Sequence, residues 1–156
     1  MRLVKEETIM LVDEQATADF ATRLACELRS PATVYLRGDL GVGKTTFTRY
    51  FLRARGIEGA VKSPTYTLLE PYQLSDGPLY HFDLYRINDP WELELAGFAE
   101  LFDEPGLRFV EWPERGAQWL PPADLELEFS ADVSQSNNNG ASAQDRKVRV
   151  CWFEID

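Results

Sequence analysis

One histidine, His81, and two cysteines, Cys26 and Cys151, are all that the 156 residues offer as soft metal ligands. A structural zinc site takes four such ligands, usually in close Cys or His pairs. No pair here has CxxC spacing, so the sequence leaves nothing to build one. Both cysteines read as small buried hydrophobes. Basic side chains are scarce as well, with 16 Lys and Arg against 26 Asp and Glu and a formal charge of −10. Such a surface repels nucleic acid backbones, which predicts no direct nucleic-acid binding unless a local basic patch overrides the mean. The acidity fits a solubility device and a basic protein partner equally well. No apolar run approaches the length of a bilayer span, and Met1-Arg2-Leu3-Val4-Lys5-Glu6-Glu7 lacks the apolar core of a signal peptide. A cytoplasmic protein without membrane contact is expected.

At 17.8 kDa and 44% hydrophobic residues, the chain suits one domain and is short for two. There is no internal repeat. Its most informative stretch is Gly38-Asp39-Leu40-Gly41-Val42-Gly43-Lys44-Thr45, between the apolar run Thr33 to Leu36 and an amphipathic run beginning at Thr45. Glycines let a backbone curl so that successive N–H groups point at phosphate oxygens, and the helix that follows presents its N-terminal dipole to the same anion. In this phosphate-binding reading Lys44 reaches the β and γ phosphates, Thr45 places its hydroxyl on a bridging Mg²⁺, and Thr46 completes the cradle. A preceding buried strand and a following helix, both legible here, set the stretch apart from a chance glycine turn.

Along the chain, Thr8 to Val12 reads as an N-terminal strand and Asp13 as the N-cap of a helix whose stripe is Ala16, Phe20, Leu24 and Leu28, ending at Ser30-Pro31. Phe47, Tyr50, Phe51 and Ala54 mark a second helix, stopped by Gly56. After Lys62-Ser63-Pro64-Thr65-Tyr66-Thr67, an extended stretch through Tyr72 and another from Leu79 to Tyr85 flank the turn residues Ser75-Asp76-Gly77-Pro78, which predicts a hairpin. Asp89 and Pro90 open a short helix, Trp91 to Ala96, and Gly97 separates it from a helical piece, Phe98 to Phe102. Leu107 to Trp112 is a further strand. Leu125 to Ala131 and Val148 to Ile155 alternate and read as antiparallel neighbours, joined by a polar stretch around Ser134 to Asp145 expected to be mobile. The pattern predicts one α/β domain over residues 1–156: a three-layer, P-loop NTPase-like fold with a mixed, mostly parallel central sheet and C-terminal antiparallel strands.

Phosphate chemistry on such a loop also needs a carboxylate at a strand end to orient Mg²⁺. Asp83, after Leu79-Tyr80-His81-Phe82, and Glu111, after Leu107-Arg108-Phe109-Val110, both qualify, and the sequence does not rank them. Thr65, in a loop after the second helix, is the candidate γ-phosphate switch. Trp112 either stacks beside the site or packs in the core. His81 is read as paired with a backbone carbonyl rather than as a base. Arg53 and Arg55 read as exposed charges. Asp103-Glu104-Pro105-Gly106 matches the DxxG of GTPases, yet there is no NKxD, which argues against guanine specificity.

The loop Gly38 to Thr46, with Val61-Lys62-Ser63-Pro64-Thr65-Tyr66-Thr67-Leu68, His81-Phe82-Asp83-Leu84-Tyr85-Arg86 and Val110-Glu111-Trp112-Pro113, closely resembles the bacterial TsaE (YjeE) family. The likeness runs from about Asp13 to Pro122. It implies a small P-loop ATPase that binds ATP and Mg²⁺ and works with TsaB and TsaD in making the threonylcarbamoyladenosine modification of tRNA. By the same likeness Thr45 and Glu111 form the Mg²⁺ shell, Asp83 is a carboxylate needed for hydrolysis, Thr65 belongs to a switch, Trp112 lies beside the nucleotide, and Asp13 approaches the adenine. The C-terminal strands match nothing in the pattern, so Arg146 receives no role. Two other readings stay open: a small-molecule P-loop kinase, for whose substrate insertion and lid the chain has little room, and a nucleotide-dependent binding module with incidental hydrolysis.

Overall fold

The computed structural model describes residues 1–39, 41–64, 67–133 and 144–155. Leu40, Thr65, Tyr66 and the 134–143 stretch lie outside the described residues, and with them the expected switch threonine and most of the expected mobile loop.

Seven strands form one sheet: β1 (Arg2–Leu11), β2 (Ala32–Arg37), β3 (Leu69–Leu74), β4 (Gly77–Asp83), β5 (Leu107–Glu111), β6 (Leu125–Val133) and β7 (Gln144–Glu154). Their spatial order is β1-β7-β6-β2-β5-β4-β3. The central neighbours β6, β2, β5 and β4 run parallel, whereas β7 pairs antiparallel with both β6 and β1, and β3 pairs antiparallel with β4. This is the expected mixed sheet. The hairpin lies where Ser75-Asp76 predicts it, with Leu74 opposite Gly77.

Strand alternation sorts the side chains into two cores. Val34, Leu36, Leu79, Leu107 and Phe109 face one layer, formed by α1 (Glu14–Glu27) and α2 (Lys44–Ala54). Tyr35, Phe82 and Val110 face the other, where α3 (Trp91–Leu95) and the 3-10 turn Phe98–Phe102 bring in Leu93 and Phe102. Asp13 caps α1, its Oδ1 accepting from Ala16 N at 2.8 Å, and the buried stripe Phe20, Ala21 and Leu24 turns toward the sheet. In α2, the Phe47 ring centroid lies 5.4 Å from that of Phe20 and 5.6 Å from that of Phe129, and Phe51 meets Phe109 edge-on at 4.8 Å. These rings fix the helix that carries the glycine loop.

Several local expectations need correction. β1 begins at Arg2 instead of Thr8, because as the edge strand it extends along β7 with outer residues that need not alternate, and β7 begins at Gln144 instead of Val148, because its first residues pair with the end of β6. Cys26 is exposed on α1, off its buried stripe, while Cys151 is buried. Arg55 is not a free surface charge. It donates from Nε to the Ala25 carbonyl at 2.8 Å, also reaches the Leu28 carbonyl, and pairs with Asp76 at 3.1 Å, so it ties the ends of α1 and α2 to the β3–β4 turn. Among the described residues, no helix is long and apolar enough to cross a membrane.

Candidate functional site

The loop leaves the end of β2 and enters α2 through three residues that only glycine serves well. Gly38, Gly41 and Gly43 have φ of 137°, 78° and 105°. At Gly38 a Cβ would lie 2.5 Å from the Phe129 carbonyl oxygen, so space as well as conformation demands glycine. Gly43 accepts the first helical bond, from Phe47 N at 2.9 Å, and leaves the N-terminal N–H groups of α2 pointing outward.

β2, β4 and β5 are parallel, so their C-terminal ends share one edge of the sheet, and in an open α/β sheet that edge is where ligands bind. Register places Leu36, Asp83 and Glu111 side by side there. Asp83 has the parity of Leu79, and Glu111 that of Leu107 and Phe109, so both carboxylates face the α1/α2 layer, from which Lys44 approaches. The Lys44 Nζ donates to the Gly38 carbonyl at 2.6 Å, lies 3.8 Å from Glu111 Oε1 and sits 4.4 Å from the Trp112 ring centroid. Lys44, Asp83 and Glu111 are all buried. Burial pushes the Lys44 ammonium below the usual lysine range, against the pull of Glu111 and Asp83. Burial likewise pushes the Asp83 carboxyl up, helped by Glu111 and opposed mainly by the Tyr85 N–H that Oδ1 accepts at 3.0 Å.

His81 is fully buried, and its Nε2 meets Glu111 Oε2 at 2.7 Å. The expectation of a backbone carbonyl partner is therefore corrected: the same strand parity that turns Asp83 inward turns His81 toward the neighbouring strand's carboxylate. Trp112 is half-buried and left-handed, with φ 56°, and its ring lies 5.0 Å from that of Tyr85.

Two openings flank the loop. One, of about 250 Å³, is lined by Gly41, Gly43, Lys44, Thr45, Thr46 and Arg146. The other, of about 300 Å³, runs on past Gly43 and Thr46 to Leu11, Asp13, Thr17 and again Arg146. Thr45 is exposed and Thr46 partly so. Asp39 is exposed, and Val42 packs against the α1/α2 core. The structure thus brings Lys44, Asp83, Glu111 and Trp112 together and sets Asp13 beside a second compartment. Arg146, to which the sequence gives no role, stands on the wall of both openings because β7 sets it opposite Leu11 of β1 and Ala131 of β6.

The donor set is one of hard oxygens: the Thr45 hydroxyl and the Glu111 and Asp83 carboxylates, with the imidazole already engaged by Glu111. Among the described residues no group of three or more His, Cys, Asp or Glu side chains forms a metal cage. One or two carboxylates and a hydroxyl without a cage suit Mg²⁺ shared with substrate phosphates, and do not suit zinc.

Sheet order, helical layers and glycine loop define an α/β protein of the P-loop NTPase-like class. The family model described as "Threonylcarbamoyl adenosine biosynthesis protein TsaE" matches residues 11–139, and the chain belongs to the TsaE family. Among its relatives, the tRNA threonylcarbamoyladenosine biosynthesis protein TsaE of Haemophilus influenzae is 52% identical over 92 residues, which are 59% of this chain and 58% of that one. The protein of the same name from Aquifex aeolicus is 38% identical over 152 residues, 96% of this chain and 98% of the relative. The crystal structure of Bacillus subtilis YdiB superposes with a TM-score of 0.68 at 28% identity, covering 97% of this chain and 88% of that one.

Proposed function

We propose that this protein is a Mg²⁺-dependent ATPase of the cytoplasm, required for the threonylcarbamoyladenosine modification of tRNA and acting with TsaB and TsaD through nucleotide-dependent complex formation. The observation that carries the proposal is the convergence of Lys44, Asp83 and Glu111 at the mouth of the glycine loop, in a chain of the TsaE family. Nothing in the sheet edge's packing requires two buried carboxylates facing a buried lysine, and each costs stability there.

In this reading the N–H groups of the loop and the first turn of α2 bind the β and γ phosphates, and Lys44 turns from the Gly38 carbonyl to the phosphate oxygens. Thr45 and Glu111 are the side chains that would hold Mg²⁺, which would supply neutralisation of the charge on the triphosphate. Asp83, whose carboxyl burial has pushed up, orients the attacking water and takes its proton as the terminal phosphoanhydride breaks to ADP and phosphate. Trp112 covers the lysine and excludes bulk water. The compartment of Leu11, Asp13 and Thr17 receives the nucleoside, and the Arg146 guanidinium lies along the passage from phosphates to base. Thr65 serves as the γ-phosphate switch. The acidic protein leaves tRNA contact to its partners. No arginine of this chain is assigned to the γ-phosphate, so turnover is slow alone and rises in the complex.

The test is phosphate release from ATP by the wild type, Asp83→Ala and Glu111→Ala, alone and with TsaB and TsaD. The proposal expects Mg²⁺-dependent release from the wild type, accelerated by the partners, and a fall of about 100-fold in both variants. Turnover that requires a small-molecule acceptor, which becomes phosphorylated, would establish a kinase instead.

A further inference from the structure

We propose that His81 is a positioning residue, which fixes the Glu111 carboxylate so that one oxygen faces the phosphate-binding loop. The inference rests on the reading of Glu111 as a metal-shell carboxylate and adds a residue that acts through it.

The two oxygens of Glu111 have different neighbours. Oε2 is 2.7 Å from His81 Nε2, whereas Oε1 is 3.8 Å from Lys44 Nζ and turned to the loop. A carboxylate only accepts, so His81 Nε2 is the donor and carries the hydrogen. His81 Nδ1 is buried and has no hydrogen-bond partner among the described residues. A lone pair is tolerated in that position better than an N–H would be, so the ring is held as the Nε2–H tautomer.

As a core filler His81 is a poor choice. Its sheet-face neighbour Leu79 and the adjacent Phe82 are apolar and fully buried, and a leucine at 81 would fill the same layer without burying an unpartnered nitrogen. What the imidazole supplies instead is direction. The terminal torsion of a glutamate is broad and roughly two-fold, so an unrestrained carboxylate turns its oxygens freely. One bond to Oε2, from a ring locked in the sheet, leaves Oε1 aimed at the loop. Partners that orient a metal-ligating group in this way typically contribute 10–100-fold in metal affinity.

Because His81 is the chain's only histidine, selective ¹⁵N labelling gives one pair of imidazole resonances. The proposal expects Nε2 protonated and Nδ1 bare in the wild type, with a pronounced change in the Nε2 resonance in Glu111→Ala. A ring protonated at Nδ1 alone, or one indifferent to Glu111, would overturn it. The second measurement is the affinity for a fluorescent ATP analogue with Mg²⁺ and with EDTA. His81→Leu should lose about 10–100-fold of the Mg²⁺-dependent affinity gain while its affinity in EDTA stays within about two-fold of the wild type. His81→Gln, whose amide nitrogen reaches the Nε2 position, should recover most of the loss. Equal losses in both media, or an undiminished Mg²⁺ gain in His81→Leu, would reduce His81 to packing. If the wild type itself gains nothing from Mg²⁺, the metal-shell reading of Glu111 fails, and the inference falls with it. Should His81→Leu not fold, the wild-type spectrum and His81→Gln decide.

Discussion

The Lys44 ammonium lies 4.4 Å from the centroid of the Trp112 ring, over an indole that the backbone holds at φ 56°. A left-handed tryptophan costs about 1–2 kcal/mol. Here that conformation turns the chain sharply after Glu111 and sets the ring against the lysine that the proposed phosphate would recruit. Nucleotide binding should therefore draw the cation off the ring. The fluorescence of Trp112, measured as the difference between the wild type and Trp112→Phe, should change on adding ATP and not on adding adenosine. Identical responses from the two proteins would show that the lysine does not move.

Asp83→Asn should trade activity for stability. Burial raises the Asp83 carboxyl above its ordinary value of 3.8, so between that value and the raised one the folded protein holds more protons than the unfolded chain. Stability falls as pH rises through this window, and at neutral pH the ionised side chain is a cost. The asparagine keeps an oxygen for the Tyr85 N–H and carries no charge. It should gain about 1 kcal/mol at neutral pH, or about 2–4 °C in Tm, and the gain should vanish once the pH is below 3.8. Phosphate release should drop by about 100-fold. Thermal melts across the pH range read the sign directly: a less stable variant at neutral pH would contradict it.

Gly38→Ala and Gly41→Ala should differ in cost. Gly38 combines φ 137° with a Cβ position 2.5 Å from the Phe129 carbonyl oxygen, whereas Gly41, at φ 78°, has open space. The first should lose about 3 kcal/mol and the second about 1–2 kcal/mol, as read by denaturant melts.

Asp13 has two separable roles. Its Oδ1 caps α1, and its side chain borders the compartment proposed for the base. Asp13→Asn preserves the cap, whereas Asp13→Ala loses about 1 kcal/mol of stability. Both should narrow the preference for ATP over GTP, measured as a ratio of binding affinities. Arg146→Ala should weaken ATP and GTP alike by about ten-fold, since a guanidinium beside the phosphates does not read the base. An ATP preference unchanged in Asp13→Asn would remove Asp13 from base recognition.

The sequence carried the site's chemistry further than its walls. Glycine spacing, the strand before it and the helix after it made the loop legible, and Asp83 and Glu111 stood out as acids ending apolar strands. Their shared face was implicit in strand parity, once β4 and β5 were paired in register. His81 could not be matched to Glu111 from local pattern, because the contact spans 30 residues and two strands. Arg146 was hidden for the same reason: it reaches the loop through the pairing of β7 with β1 on one side and β6 on the other, and the edge strand β1 lacks clean alternation. Arg55 looked like any helix-surface arginine until α1 and the β3–β4 turn supplied its acceptors.

The central claim is that ATP turnover at Lys44, Asp83 and Glu111 drives a step of tRNA modification. Its most direct test is the threonylcarbamoyladenosine formed on tRNA over many cycles by TsaB and TsaD, given a threonylcarbamoyl donor and either the wild-type protein, Lys44→Ala, Asp83→Ala or Glu111→Ala. The account predicts sustained formation with the wild type and little or none with each variant. Undiminished multi-cycle modification by Asp83→Ala and Glu111→Ala would contradict it and leave a binding module whose hydrolysis is incidental.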